Sequence, residues 1–134
     1  MISMKELIKD IAISDIDYDI QHNLVELLLR INKIRIAYNK PMKVTSGYRT
    51  IQDHKRIYNA KGIFDEKKMP MQSRHLYGKA IDISDPNKDL QKWCLVNIKM
   101  LEDIGLWLED FSATPNWVHF QIEPPKSGKR MFKP

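Results

Sequence analysis

The sequence predicts an α+β fold: a small, mostly antiparallel sheet with helices packed on one side. Three observations predict it. Apolar residues recur at helical spacing in one long stretch, at Leu24, Leu27, Leu28, Ile31 and Ile34. Apolar and polar residues alternate in "KAIDIS", "LWLEDF" and "WVHFQI", the period of a strand with one buried face. Helical and strand patterns also mix without the regular strand-helix-strand rhythm that makes a parallel sheet.

Each element follows from local signals. Ser3 and Glu6 form a capping box for a first helix, "MKELIKDIAI". A second helix spans about 19–39, where Pro41 ends the run. "MKVTSGYR" reads as a strand ending in a turn at Ser46-Gly47, and Thr50 with Asp53 opens a third helix, "IQDHKRIYNAK", closed by Gly62. "IFDEKKMPMQSR" is polar and aperiodic, an exposed loop. After the strand "KAIDIS", Asp85-Pro86 stands in N-cap and N1 order before a fourth helix that runs through "LQKWCLVNIKMLEDI" to Gly105. "LWLEDF" and "WVHFQI" flank the turn "SATPN" and read as a hairpin, and "EPPKSGKRMFKP" is expected to lie over the surface.

Length and composition bound the function. The 134 residues suit one domain, 1–134, with a real core. No stretch nears the ~20 apolar residues that cross a bilayer, so no membrane insertion is expected. The first residues mix acids and bases and lack an apolar h-region, so synthesis in the cytoplasm without a signal peptide is expected. The single cysteine, Cys94, lies in an apolar helical pattern and reads as a small hydrophobe. A net charge of +5 points to an anionic partner: nucleic acid, a membrane surface or a bacterial cell wall. Nucleic acid has only charge in its favour, because no helix concentrates basic residues and no basic-aromatic pattern recurs.

Four histidines are the candidates for chemistry. His22 and His54 stand in predicted helices beside charged residues and read as parts of solvated faces. His75 precedes Gly78 and the strand that carries Asp82. In that strand Ala80 and Asp82 face away from Ile81 and Ile83. In "WVHFQI", His119 lies opposite Val118, Phe120 and Ile122, so two strands present Asp82 and His119 to a common cleft. Two imidazoles and a carboxylate suit one Zn²⁺ per chain with a fourth position open for water, as in catalytic sites. The bland alternative is a satisfied polar cluster.

"SGYRT" at 46–50, "SRHLYGKAID" at 73–82 and "WVHFQ" at 117–121 resemble, in order and separation, the three motifs of the zinc peptidases that include D-Ala-D-Ala carboxypeptidases, vancomycin-resistance D,D-dipeptidases and phage L-alanyl-D-glutamate endopeptidases. The resemblance organises roughly residues 41–125 and implies a hedgehog/D-Ala-D-Ala peptidase-like fold. It implies that His75, Asp82 and His119 are the zinc ligands and that Arg49 contacts the substrate carbonyl and stabilises the oxyanion. A fixed guanidinium aimed at developing negative charge makes physical sense of that role. Ser46, Tyr48, Ser73 and Trp117, in the same motifs, are candidates for substrate binding, Ser46 and Tyr48 by shaping the turn and floor.

One position departs from the pattern. Many members carry an acid three residues before the last zinc histidine as general base, and here that residue is Asn116. Either another carboxylate replaces it or the protein is not a hydrolase. On the partner strand of the hairpin, Leu106 and Leu108 mark the apolar side, so Trp107, Glu109 and Phe111 share the side of His119. Glu109 is the candidate base, with Asp110 the alternative should a bulge reverse the faces. "HExxH" is absent, which excludes a thermolysin-like arrangement. The resemblance thus implies a peptidase acting on peptidoglycan or its peptides, of D-Ala-D-Ala or L-Ala-D-Glu type. The expected lack of a signal peptide fits a phage lysis or virion enzyme acting on the cell wall, and also a cytoplasmic dipeptidase, and a monomer is expected. The competing reading is a non-catalytic zinc-containing binding module of the same fold. Zinc suits the ligands best, with cobalt or manganese as alternatives.

Overall fold

In the computed structural model, which describes residues 1–134, the capping box forms as its sequence predicts. Ser3 Oγ accepts from the Glu6 N–H (3.3 Å) and Glu6 Oε1 accepts from the Ser3 N–H (3.1 Å). The helix it opens, α1 (Met4–Ile8), is shorter than expected, because Lys9 turns the chain with φ at 53°. Helix α2 (Tyr18–Tyr38) buries Leu24, Leu27, Ile31 and Ile34 along one side and ends at Asn39 in the left-handed conformation, the usual C-terminal stop for a helix. Strand β1 (Val44–Ser46) follows, then α3 (Ile51–Ala60), whose cap is Thr50 Oγ1 accepting from the Asp53 N–H at 3.1 Å.

Strand β2 (Ala80–Ser84) is followed by two helices where the sequence suggests one, α4 (Asp89–Val96) and α5 (Ile98–Ile104). The break has a local cause. Asn97 Nδ2 donates to the Trp93 carbonyl at 2.9 Å and competes with the backbone ladder there. Asp85 caps α4 from a distance rather than as the adjacent residue: its two carboxylate oxygens accept from Leu90 and Gln91 N–H at 3.0 and 2.9 Å. Pro86 therefore lies in a turn before the helix, not at its first position.

The hairpin strands are β3 (Trp107–Glu109) and β4 (Trp117–Gln121). The segment expected to lie over the surface instead ends in a fifth strand, β5 (Met131–Phe132), paired parallel to β3. The sheet order is β1-β2-β4-β3-β5, antiparallel except for that last pair. Asp82 stands directly across from His119, and Ile83 across from Val118.

The two faces of this sheet differ. Ile81, Ile83, Leu108, Val118 and Phe120 point into a core completed by α1, α2, α4 and α5. Cys94 is buried within it, as a small hydrophobe. Helix α3 contributes nothing to that core; its one buried residue is His54. No helix is long and apolar enough to cross a membrane.

Candidate metal centre

The open face of the sheet carries Asp82 on β2 and His119 on β4, and a third group arrives from outside the sheet. A short 3-10 turn, Arg74–Tyr77, buries His75 and ends at Gly78. Gly78 has φ at +69°, and a Cβ there would sit 2.9 Å from Leu24 Cγ, so glycine alone lets the turn press against α2 on its way into β2. One ligand atom each from His75, Asp82 and His119 lie within 4.8 Å of one another, and all three residues are buried.

The orientation of the two rings is fixed by their other nitrogens. His75 Nδ1 lies 2.8 Å from the Gly47 carbonyl, an obligate acceptor, and so carries the proton. That leaves the Nε2 lone pair facing Asp82 Oδ2 at 3.2 Å. His119 meets an acceptor on both sides, Asp82 Oδ1 at 2.9 Å from Nδ1 and Gln121 Oε1 at 2.9 Å from Nε2. The amide of Gln121 is oriented by its own donation to the Glu123 carbonyl at 2.8 Å. Lone pairs thus converge on one point, and something positive belongs between them. A divalent cation bound by His75 Nε2, Asp82 and His119 Nδ1 satisfies all of them and leaves each outer N–H donating to an oxygen, the usual support of a metal-bound imidazole. The residues present therefore fit zinc.

Electrostatics agree. Burial lowers the pKa of His75, against the opposing pull of Asp82, and keeps its lone pair free. Burial alone would raise the Asp82 carboxyl, but hydrogen bonds and charge from His119 and His75 outweigh it and hold the group well below the ordinary carboxylate range. Burial likewise opposes charge on His119, yet Asp82, Gln121 and Glu109 together raise its pKa.

Around this triad, Gly47 has no room for a side chain: a Cβ would lie 2.5 Å from the Leu7 carbonyl oxygen. The close approach lets the Tyr48 N–H donate to that oxygen at 2.9 Å, while the Arg49 N–H donates to the His75 carbonyl at 3.1 Å. Arg49 Nε donates to Ser46 Oγ at 3.1 Å, which aims the guanidinium so that Nη2 stands 3.8 Å from Asp82 Oδ2. Tyr48 packs against the core. Ser73 precedes the 3-10 turn and accepts from the Leu76 N–H at 3.1 Å. Trp117, half-buried at the start of β4, pairs with Ser84.

Glu109 and Asp110 separate clearly. Glu109 Oε2 lies 3.9 Å from His119 Nδ1, and its side chain is 20% exposed. Burial raises its pKa, His119 opposes the rise and Asp82 adds to it. Asp110 instead closes the turn after β3, accepting from Ser112 N–H and Oγ–H at 2.9 and 2.6 Å. Asn116 is exposed, and its carbonyl accepts from the Asp85 N–H at 2.8 Å.

His54 departs from the solvated position its neighbours suggest. It is fully buried, because the 63–73 loop folds across α3 and brings the Pro70 carbonyl 3.1 Å from Nε2. Burial, reinforced by nearby Arg49, lowers its pKa. His22 is exposed, as expected. The supporting groups Gly47 and Gln121 carry no signal of their own in the sequence, although Gln121 shares the face of His119 by strand alternation.

A family model described as Peptidase M15 matches residues 2–121 of the chain. No curated protein and no solved structure matches it significantly.

Proposed function

The chain belongs to the Peptidase M15 family of zinc metallopeptidases acting on peptidoglycan, and on that premise we propose that it hydrolyses peptidoglycan stem peptides. In this reading His75, Asp82 and His119 hold one zinc ion, Glu109 is the general base and Arg49 steadies the scissile carbonyl oxygen. The observation that carries the reading is the convergence of two imidazole lone pairs and a carboxylate within 4.8 Å, with Glu109 3.9 Å from one of the ligands.

When bound, zinc supplies a Lewis acid for the scissile carbonyl and acidifies water beside it. The chain's own residues do the rest. Glu109 accepts the proton of the attacking water; burial raises its pKa toward the operating range of a base. It then returns the proton to the leaving amine. Arg49, tethered to Ser46 Oγ and the His75 carbonyl, offers a positive charge where the tetrahedral oxygen develops, an effect worth ~10²–10³ in rate when one such donor is lost. Ser46, Tyr48, Ser73 and Trp117 shape the surroundings in which the peptide lies. The whole of 1–134 acts as one unit, as a monomer, and its net charge of +5 favours retention on the anionic wall. A phage lysis or virion enzyme would use that retention directly.

Asn116 favours a second reading, a zinc-bearing module that binds wall peptides without cutting them. Mass spectrometry of purified peptidoglycan and synthetic stem peptides incubated with zinc-loaded protein separates the two. A new fragment, absent when a chelator is added, supports the hydrolase, and its mass tells D-Ala-D-Ala cleavage from L-Ala-D-Glu cleavage. Intact substrate alongside one bound zinc overturns the hydrolase and leaves the module.

A further inference from the structure

The family match ends at residue 121, yet the chain continues to the site. Two backbone hydrogen bonds dock β5 on β3: Leu108 N–H to the Arg130 carbonyl at 2.8 Å and Asp110 N–H to the Phe132 carbonyl at 2.6 Å. The register sets Leu108 beside Met131 and Glu109 beside Phe132. Paired residues of neighbouring strands share a face. Met131 therefore turns to the core with Leu108, where it packs, and Phe132 turns to the open face with Glu109.

Phe132 reaches past Glu109 to His119. Its ring centroid lies 6.1 Å from that of the imidazole, with an interplanar angle of 84°, an edge contact of the kind that aromatic pairs prefer. Arg130 fastens the same strand from its other end: its guanidinium stacks 4.3 Å from the Trp107 ring centroid, and Nη1 donates to the Leu106 carbonyl at 2.9 Å. Neither residue lies in the three motifs that organise the rest of the site.

We infer that Phe132, carried to the centre by β5, is a positioning residue, packing edge-on against the His119 imidazole and flanking the Glu109 carboxylate against bulk water. Its position supports both roles. His119 is gripped at its two nitrogens by Asp82 and Gln121 and faces His75 edge-on at a centroid distance of 5.2 Å. Without Phe132 the remaining flank of the ring has no packed neighbour from β5. Glu109 would lose the side chain next to it in the sheet register. The role assigned to Glu109 rests on the hydrolase reading above, while the contact with His119 stands apart from it.

The test compares Phe132→Ala with Met131→Ala in the full chain, because the two residues share a strand and face opposite ways. Imidazole NMR resonances, zinc affinity by chelator competition, thermal unfolding and kinetics on a synthetic stem pentapeptide are read for each. Phe132→Ala is expected to shift the His119 ring resonances, to weaken zinc binding by about 10-fold and to lower kcat by ~10–100-fold with little change in KM, as supporting groups of metal sites do. Phe132→Leu, which restores bulk without the ring, is expected to recover most of kcat. Met131→Ala is expected to lower the melting temperature while leaving zinc affinity and kcat unchanged. Unaltered His119 resonances and zinc affinity in Phe132→Ala would overturn the proposal, as would equal effects of the two alanine variants. A parent protein that cuts no stem peptide sinks the hydrolase reading alone, since resonances and zinc affinity still report on Phe132.

Discussion

The two faces of one strand do different work. On β4, Val118 and Phe120 are fully buried against the helices, whereas His119 and Gln121, interleaved with them, are buried against each other and Asp82. β2 repeats the pattern with Ile81 and Ile83 on one side and Asp82 on the other. Burial alone does not distinguish the faces, since both are withdrawn from water. What distinguishes them is whether the buried atoms are satisfied. The apolar face needs nothing further, while the polar face gathers acceptors that only a cation or protons can reconcile. The helices stabilise the sheet from one side so that the other can hold an arrangement that is unfavourable when empty.

Substitutions that respect or breach this division should sort by size. His119→Ala removes a proposed zinc ligand from the polar face and should leave elemental analysis with far less than one zinc per chain. Zinc content equal to that of the parent would refute the centre. Glu109→Gln keeps the shape and the neighbouring ligands but cannot accept a proton, so zinc content should persist while kcat falls ~10²–10⁴-fold. Normal turnover there would pass the role of base to another group. Gln121→Leu deprives His119 Nε2 of its acceptor and should weaken zinc by about 10-fold in a chelator titration without loss of fold. Ile83→Val, next to Asp82 but on the apolar face, should cost about 1 kcal/mol, a fall of roughly 4 °C in Tm, with zinc affinity unmoved. A change of affinity there would show that the two faces are coupled.

Much of this division is legible before any coordinates. Strand alternation places Asp82 and His119 on one face and Ile81, Ile83, Val118 and Phe120 on the other, and the hairpin register brings Glu109 beside His119. The illegible parts depend on long-range packing or on backbone groups without a sequence signature. His54 reads as solvated because its helix neighbours are charged, and its burial comes from a loop that arrives sixteen residues later at Pro70. β5 is only two residues long and is held by backbone hydrogen bonds, so no periodicity announces it. The break at Asn97 comes from a side chain competing with the helix ladder, which an apolar repeat does not register. Gly47 contributes through its carbonyl and its lack of a side chain, and neither is visible as chemistry in the letters "SGYR".

Asp82 and His119 stand directly opposite each other on adjacent strands, so the spacing between them belongs to the hydrogen-bond ladder rather than to the ion. A zinc finger, whose ligands meet only because the metal gathers them, collapses when stripped. Here the socket should outlast its occupant: dialysis against a chelator is expected to leave a folded chain that refills in place. Cobalt offered to that stripped chain becomes a coloured reporter of the same coordination sphere, and the colour can be followed while the peptide is added.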